Sequence, residues 1–215
     1  MRHGETTWNA SRRYQGQSES DLSPEGRDEA AAVGRRLASI PLSGAFASDL
    51  RRTVHTAEII LADRPEVPLR ASPHLRELHF GDFEGLTLDQ IRSTYPDAYQ
   101  AWADDLVDQA PPGGETLREQ VARAATFLTE EFPPEIGGRY LIVGHGGSIR
   151  ALLFTTLGVD LGLYWRVAIA NASITSLERR DGRWRLCRLN DVCHLRDLNR
   201  YQGGIGASYG IRLPK

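Results

Sequence analysis

The chain has 215 residues, 40% of them apolar and 25% charged, with a formal net charge of −2. That length fits one sizeable domain or two small ones, and the composition is ordinary for a globular protein. The near-neutral balance argues against a nucleic-acid partner and against a polybasic membrane patch, and no run is long and apolar enough to span a bilayer.

The N-terminus passes from Met1 straight into charged and polar residues, unlike a secretory leader. The two cysteines, Cys187 and Cys193, form no zinc-like array. A reducing, cytoplasmic setting with idle thiols is the expectation.

In chain order, Met1 to Gly16 reads MRHGETTWNASRRYQG. It sets Arg2 beside His3 and Gly4, followed by Asn9, Arg13, Gln15 and Gly16. Arginine offers a planar fork of donors that matches phosphate oxygens, and histidine can carry a phosphoryl group transiently. Ser23 is an expected N-cap with Pro24 in the first helical position, and the Ala-rich period predicts a helix to about Ser39. Gly44 to Ala47 reads as a buried strand ending at Ser48. Leu50 to Ala62 has helical spacing, which puts Arg51 and Arg52 in a first turn, where free N–H groups suit anions.

Pro65 to Pro68 break that helix, and a strand is expected from Pro68 to Ala71. Phe80 to Thr87 reads as a loop, Thr87 as the cap of a helix through Ile91, and residues 94–106 as a second helix. The break Ala110 to Glu115 precedes a long helix from Thr116 to Glu131. Arg139 to Val143 is the apolar strand of a parallel sheet. Gly144-His145-Gly146-Gly147 follows at its carboxyl end, and a helix resumes from Ile149 to Leu157. Ser173–Leu177 and Trp184–Leu189 are expected strands joined by a turn at Arg180 to Arg183. The alternation predicts an α/β fold: three layers, α/β/α, around a mostly parallel central sheet, with ligands at the carboxyl ends of strands. The whole of 1–215 reads as a single domain, with a lid-like insertion around 81–114 covering the site.

Taken alone, Arg52 is also read as a solvated helix residue with Arg51 competing for its role, Glu77 as a surface partner of Arg76 or Arg70, and His145 as a hydrogen-bonded core histidine. Four stretches in order decide between the readings. They are RHGETTWN, Ser48-Asp49-Leu50-Arg51-Arg52 leading into Thr56-Ala57, Leu75 to Gly85, and Val143 to Arg150. Together they resemble the histidine phosphatase superfamily, also called the phosphoglycerate mutase-like family. The resemblance implies a phosphomonoesterase acting on a small phosphorylated metabolite through a phosphohistidine. It makes His3 the nucleophile, Glu77 the general acid and then base, and His145 the second pocket histidine. It gives Arg2, Asn9, Gln15, Gly16, Arg52 and Gly146 to the phosphate and substrate. It requires no metal and no cofactor, although His79, Asp82 and Glu84 are residue types able to ligate one.

Two features favour phosphatase over mutase: the compact, acidic segment between Glu77 and His145, and Leu78 where mutases have an arginine. LRELHFGDFEGLT, the Pro111 to Glu115 turn and Leu189 to Leu195 resemble alpha-ribazole phosphatases. Trp8, Tyr14, Phe83 and Trp102 are the expected apolar wall for a nucleoside-like leaving group. A phosphoglycerate mutase-type transferase, a broad-specificity sugar-phosphate phosphatase and a catalytically silent phospholigand binder remain the alternatives. Family members also carry an apolar strand just before Arg-His-Gly. Here only Met1 precedes Arg2, so a start several residues upstream is expected.

Overall fold

A computed structural model of the chain describes residues 1–133 and 136–198. The end of the expected 1–215 domain, residues 199–215, lies outside the described residues.

Thr6 opens the first short helix, α1 (Thr7–Ala10), through a reciprocal cap with Asn9. Helix α2 (Pro24–Leu37) begins as its sequence signals require: the Ser23 side chain accepts from Gly26 N and Pro24 occupies the first turn. Strand β1 (Gly44–Ser48) is buried along its whole length. It feeds α3 (Arg51–Ile60), which lays Arg52, Thr53, Thr56, Ala57 and Ile60 inward. Strand β2 (Leu69–Ser72) and a 3-10 turn, Pro73–Leu75, lead to Glu77.

Helices α4 (Leu88–Thr94) and α5 (Pro96–Asp104) follow, with a second reciprocal cap between Thr87 and Gln90. Helix α6 (Leu117–Thr126) is shorter than expected, because its last turns, Phe127–Glu131, widen into a π-helix. Strand β3 (Tyr140–Val143) runs into α7 (Gly146–Leu157), which starts three residues before the apolar period does. Strands β4 (Ile174–Arg180) and β5 (Arg183–Asp191) close an antiparallel hairpin. Its two-residue turn, Asp181-Gly182, has both φ values positive, at 52° and 74°, as a tight hairpin requires.

The central sheet is parallel in the order β2-β1-β3, with helices packed against it, and the fold is α/β. The opening residues join its far edge. The Met1 amine donates to the Ile142 carbonyl at 2.6 Å, Gly144 N to Met1 O at 2.9 Å, and His3 N to Gly144 O at 2.9 Å. On their other side, Arg2 N donates to Ser173 O and Ala172 N to His3 O. His3 and His145 thus end neighbouring extended segments. Burial lowers the Met1 amine to about 5.

Among the described residues, three apolar clusters fill the interior. One lies between the sheet and α2/α3, one between the sheet and α6/α7, and the third inside residues 78–103 together with Tyr14. The third corrects the expected aromatic wall. Tyr14, Phe83 and Trp102 are at most 1% exposed. They pack edge to face with one another and with Phe80 and Tyr99, and Phe83 at a tilt against Tyr95, in a closed core, an arrangement that suits ring quadrupoles. Only Trp8 of that set is half-buried. Both cysteines are free and exposed.

Candidate active site

The carboxyl ends of parallel strands leave backbone groups and helix starts pointing at one place, which is where α/β folds assemble ligand sites. Here the end of β3 delivers His145, α7 delivers Gly146 and Gly147, and the first turn of α3, just after β1, delivers Arg52. The opening segment delivers Arg2 and His3. Arg2, His3, Arg52, Glu77 and His145 are all at most 6% exposed.

The His3 and His145 rings meet edge to face, with centroids 5.2 Å apart. His3 Nδ1 lies 2.7 Å from the Gly4 carbonyl. A carbonyl only accepts, so Nδ1 carries the proton and Nε2 keeps its lone pair. His145 has the opposite tautomer. Its Nδ1 accepts from Arg52 Nε at 3.2 Å, so Nε2 holds the proton. That Nε2–H is buried and has no hydrogen-bond partner among the described residues. A buried orphan donor is rare in folded proteins and points to a ligand acceptor. Burial first, and then the Arg52 guanidinium, push both imidazoles well below 6.5, so both are neutral at physiological pH.

Arg52 is held from three sides. Besides His145, it donates to Ser18 O at 2.8 Å and to Gly16 O at 2.6 Å. Arg51 points outward and pairs with Asp21 at the exposed surface. Arg2 donates from Nη1 to Ile169 O at 2.7 Å. Glu77 Oε1 accepts from Leu78 N at 2.9 Å and from Gln120 Nε2 at 3.4 Å, while Oε2 accepts from Gly147 N at 3.1 Å. Oε2, with a single donor among the described residues, keeps more free lone-pair capacity than Oε1, and it lies 3.8 Å from where a Gly146 Cβ would sit.

The remaining predicted residues stand one step back. Asn9 Oδ1 takes donors from Thr6 N and Asn171 Nδ2. Gln15 Oε1 accepts from Thr6 and Ser20 hydroxyls, which braces the loop. Gly16, at φ 53°, presents its carbonyl to Arg52. His79 Nδ1 accepts from Gly81 N. Glu84 is engaged as a clamp: its carboxylate accepts from Gln17 N, Ser18 N, Ser18 Oγ and Phe80 N. Among the described residues, no group of three or more potential ligands gathers to hold a metal.

Several supporting residues carried no signal in the sequence. Asn171 donates to His3 O and Gly4 O. Arg123 donates to the carbonyls of His74, Arg76 and Glu77 and pairs with Glu115 at 2.6 Å. Tyr164 OH lies 2.7 Å from both Gln120 Oε1 and Gly147 O. Asn171 braces the segment that carries His3, Arg123 and Tyr164 brace the surroundings of Glu77, and each reads locally as an ordinary helix or loop residue.

Known proteins share this arrangement of the whole chain. A family model described as histidine phosphatase superfamily (branch 1) matches residues 1–192. A curated relative, "Phosphoglycerate mutase-like protein 4" of Arabidopsis thaliana, is 34% identical over 209 residues, covering 96% of this chain and 90% of its own. The solved mycobacterial glucosyl-3-phosphoglycerate phosphatase, in complex with VO3, superposes with a TM-score of 0.79 at 35% identity, covering 89% and 96%. The alpha-ribazole phosphatase from Shigella flexneri superposes at 0.83 with 26% identity, covering 89% and 94%. With the motif order, the strand-end site and a match across nearly all of its length, the chain belongs to branch 1 of the histidine phosphatase superfamily.

Proposed function

We propose that the chain is a metal-independent phosphomonoesterase working through His3. The observation that carries this reading is the opposed pair of imidazoles. His3 offers a lone pair at Nε2, and His145 offers an orphan N–H at Nε2 beside it.

In the first step His3 Nε2 attacks phosphorus, and the bond from phosphorus to the ester oxygen breaks. Glu77 gives a proton from Oε2 to the departing oxygen. In the second step the Glu77 carboxylate takes a proton from water as the water oxygen attacks phosphorus. The phosphorus–nitrogen bond breaks, phosphate leaves and His3 returns to its starting tautomer. Arg2, Arg52 and the His145 N–H meet the phosphoryl oxygens, and Gly146 leaves them room. Preorganised donors of this kind supply most of the catalysis in phosphoryl transfer. Asn9, Gln15 and Gly16 hold the loop on which His3 and Arg52 depend.

Hydrolysis is favoured over mutase chemistry by Leu78. Where the mutases resembled have an arginine beside the acid, this chain buries a leucine in the aromatic cluster. The helical segment 81–114 is assigned as the cover of the site. Alpha-ribazole 5'-phosphate, a glucosyl phosphoglycerate and simple sugar phosphates are the substrates to compare, since structural neighbours act on the first two by name.

The test is phosphate release from p-nitrophenyl phosphate with a strong chelator present, together with trapping of acid-labile phosphate. Turnover should persist in the chelator, and label should appear on His3 and vanish in His3→Ala. Label on His145, activity that needs a divalent ion, or rapid interconversion of phosphoglycerates with a bisphosphate primer would overturn the reading.

A further inference from the structure

Gln120 lies on α6 and is 1% exposed. Its buried amide joins two groups. Nε2 donates to Glu77 Oε1 at 3.4 Å, and the amide oxygen accepts from the Tyr164 hydroxyl at 2.7 Å. The same hydroxyl lies 2.7 Å from the Gly147 carbonyl, and Gly147 N donates to Glu77 Oε2 at 3.1 Å. One hydroxyl therefore anchors both residues that grip the carboxyl from the side of α6 and α7, one at each oxygen. Tyr164, in the 3-10 turn Leu161–Arg166, is fully buried. Burial pushes its hydroxyl well above the usual 10, so it keeps its proton and remains a donor.

A protonated carboxyl has one hydroxyl oxygen and one carbonyl oxygen, and N–H donors favour the carbonyl oxygen, where both lone pairs are free. Among the described residues, Oε1 takes two donors, Leu78 N at 2.9 Å and Gln120 Nε2, whereas Oε2 takes one. The grip makes Oε1 the carbonyl oxygen and Oε2 the hydroxyl oxygen. The chemistry needs that choice. Oε2 and Arg2 Cζ lie 3.8 Å and 3.9 Å from the point that a Gly146 Cβ would occupy, so Oε2 borders the same space as a phosphate-facing arginine. Oε1 instead sits where a Gly147 Cβ would be, against the helix backbone. With its amide turned over, Gln120 would offer an oxygen to Oε1 and hold a proton there, away from the ester. The Tyr164 bond to the amide oxygen opposes that turn.

We propose that Gln120 and Tyr164 are positioning residues that keep the Glu77 proton on Oε2, the oxygen facing the ester, and so govern turnover of substrates whose leaving oxygen needs a proton. This rests on the phosphatase reading above and deepens it. Both residues act through Glu77, so their loss falls on the protonation of the leaving group rather than on the attack by His3.

Two aryl esters of matched shape test this. Phenyl phosphate releases a basic phenolate that needs the proton, whereas 2,4-dinitrophenyl phosphate releases a stable anion that does not. Gln120→Met fills similar space and cannot donate. It should lower kcat/KM on phenyl phosphate by about 10-fold, the scale of one hydrogen bond, and change it by less than about 2-fold on the dinitrophenyl ester. Tyr164→Phe should move the ratio of the two esters in the same direction. An equal loss on both esters, as a merely structural role would give, overturns the proposal, and so do unchanged rates on both. If one variant does not fold, the ratio in the other decides. Failure of the wild-type enzyme to hydrolyse either ester would refute the phosphatase reading instead. The present proposal is then decided by infrared difference spectra on acidification. The band of protonated Glu77, assigned by its absence in Glu77→Gln, should move to higher frequency in Gln120→Met, because its carbonyl oxygen has lost a donor. A band that stays in place overturns the proposal.

Discussion

Replacing Gly147 with alanine should disable the enzyme without unfolding it. A Cβ built on Gly147 overlaps Glu77 Oε1 and lies 2.8 Å from Gln120 Nε2 and 3.1 Å from Glu77 Cδ. Ordinary carbon contacts begin near ~3.5 Å, so the carboxyl group must retreat by about an ångström. A misplacement of that size costs about 10²-fold in rate, and complete loss of a general acid costs about 10²–10⁴-fold. The backbone itself accepts alanine, because Gly147 does not have a positive φ. Alanine in a helical turn even gains up to about 1 kcal/mol over glycine, against about 1–3 kcal/mol for disturbing the buried carboxylate. The melting temperature should therefore fall by only a few degrees, at ~2–4 °C per kcal/mol for a chain of this size. The neighbouring position is the control. A Gly146 Cβ meets nothing closer than 3.8 Å. Gly146→Ala should leave Glu77 where it is and narrow the substrate space, raising KM more than it lowers kcat. The assay is steady-state kinetics on an aryl phosphate, with a thermal melt of each variant. A Gly147→Ala enzyme with wild-type kcat would refute the placement of Glu77 as the proton donor.

Arg52→Ala should cost about 3–4 kcal/mol in the transition state, the scale of a lost oxyanion donor, read as kcat/KM. Arg51→Ala removes only an exposed pair with Asp21, 3.2 Å apart with side chains 58% and 61% exposed, and should change stability by less than about 1 kcal/mol. Burial and the flanking arginines hold His3 below 6.5, so the acid limb of the pH–rate profile, set by protonation of the nucleophile, should also fall below 6.5. A limb above 6.5 would contradict the assignment. The same shift ties stability to pH. Both imidazoles favour the neutral form in the fold, so their contribution is complete above 6.5 and declines as pH drops from there toward the folded values. Urea titrations from pH 8 downward should show that loss, reduced in His145→Gln.

The sequence by itself determined most of the elements and the family. Ser23-Pro24, Thr87 and Thr116 mark helix starts through bonds to backbone a few residues away, so they are legible locally. The apolar run before Gly144 and the Arg-His-Gly opening are equally local, and their order carried the family. Tertiary structure decided everything that depends on distant partners. The bond from Arg52 to His145 spans 93 residues, and the one from Gly147 to Glu77 spans 70. The tautomers of both histidines follow from such bonds, and no spacing rule reveals them. Phe83 and Trp102 look the same in sequence whether they wall a pocket or fill a core, because hydrophobicity does not report which neighbours enclose a ring. Arg150 likewise has the spacing of any helix residue, and only packing shows that it is buried, with no carboxylate paired to it among the described residues.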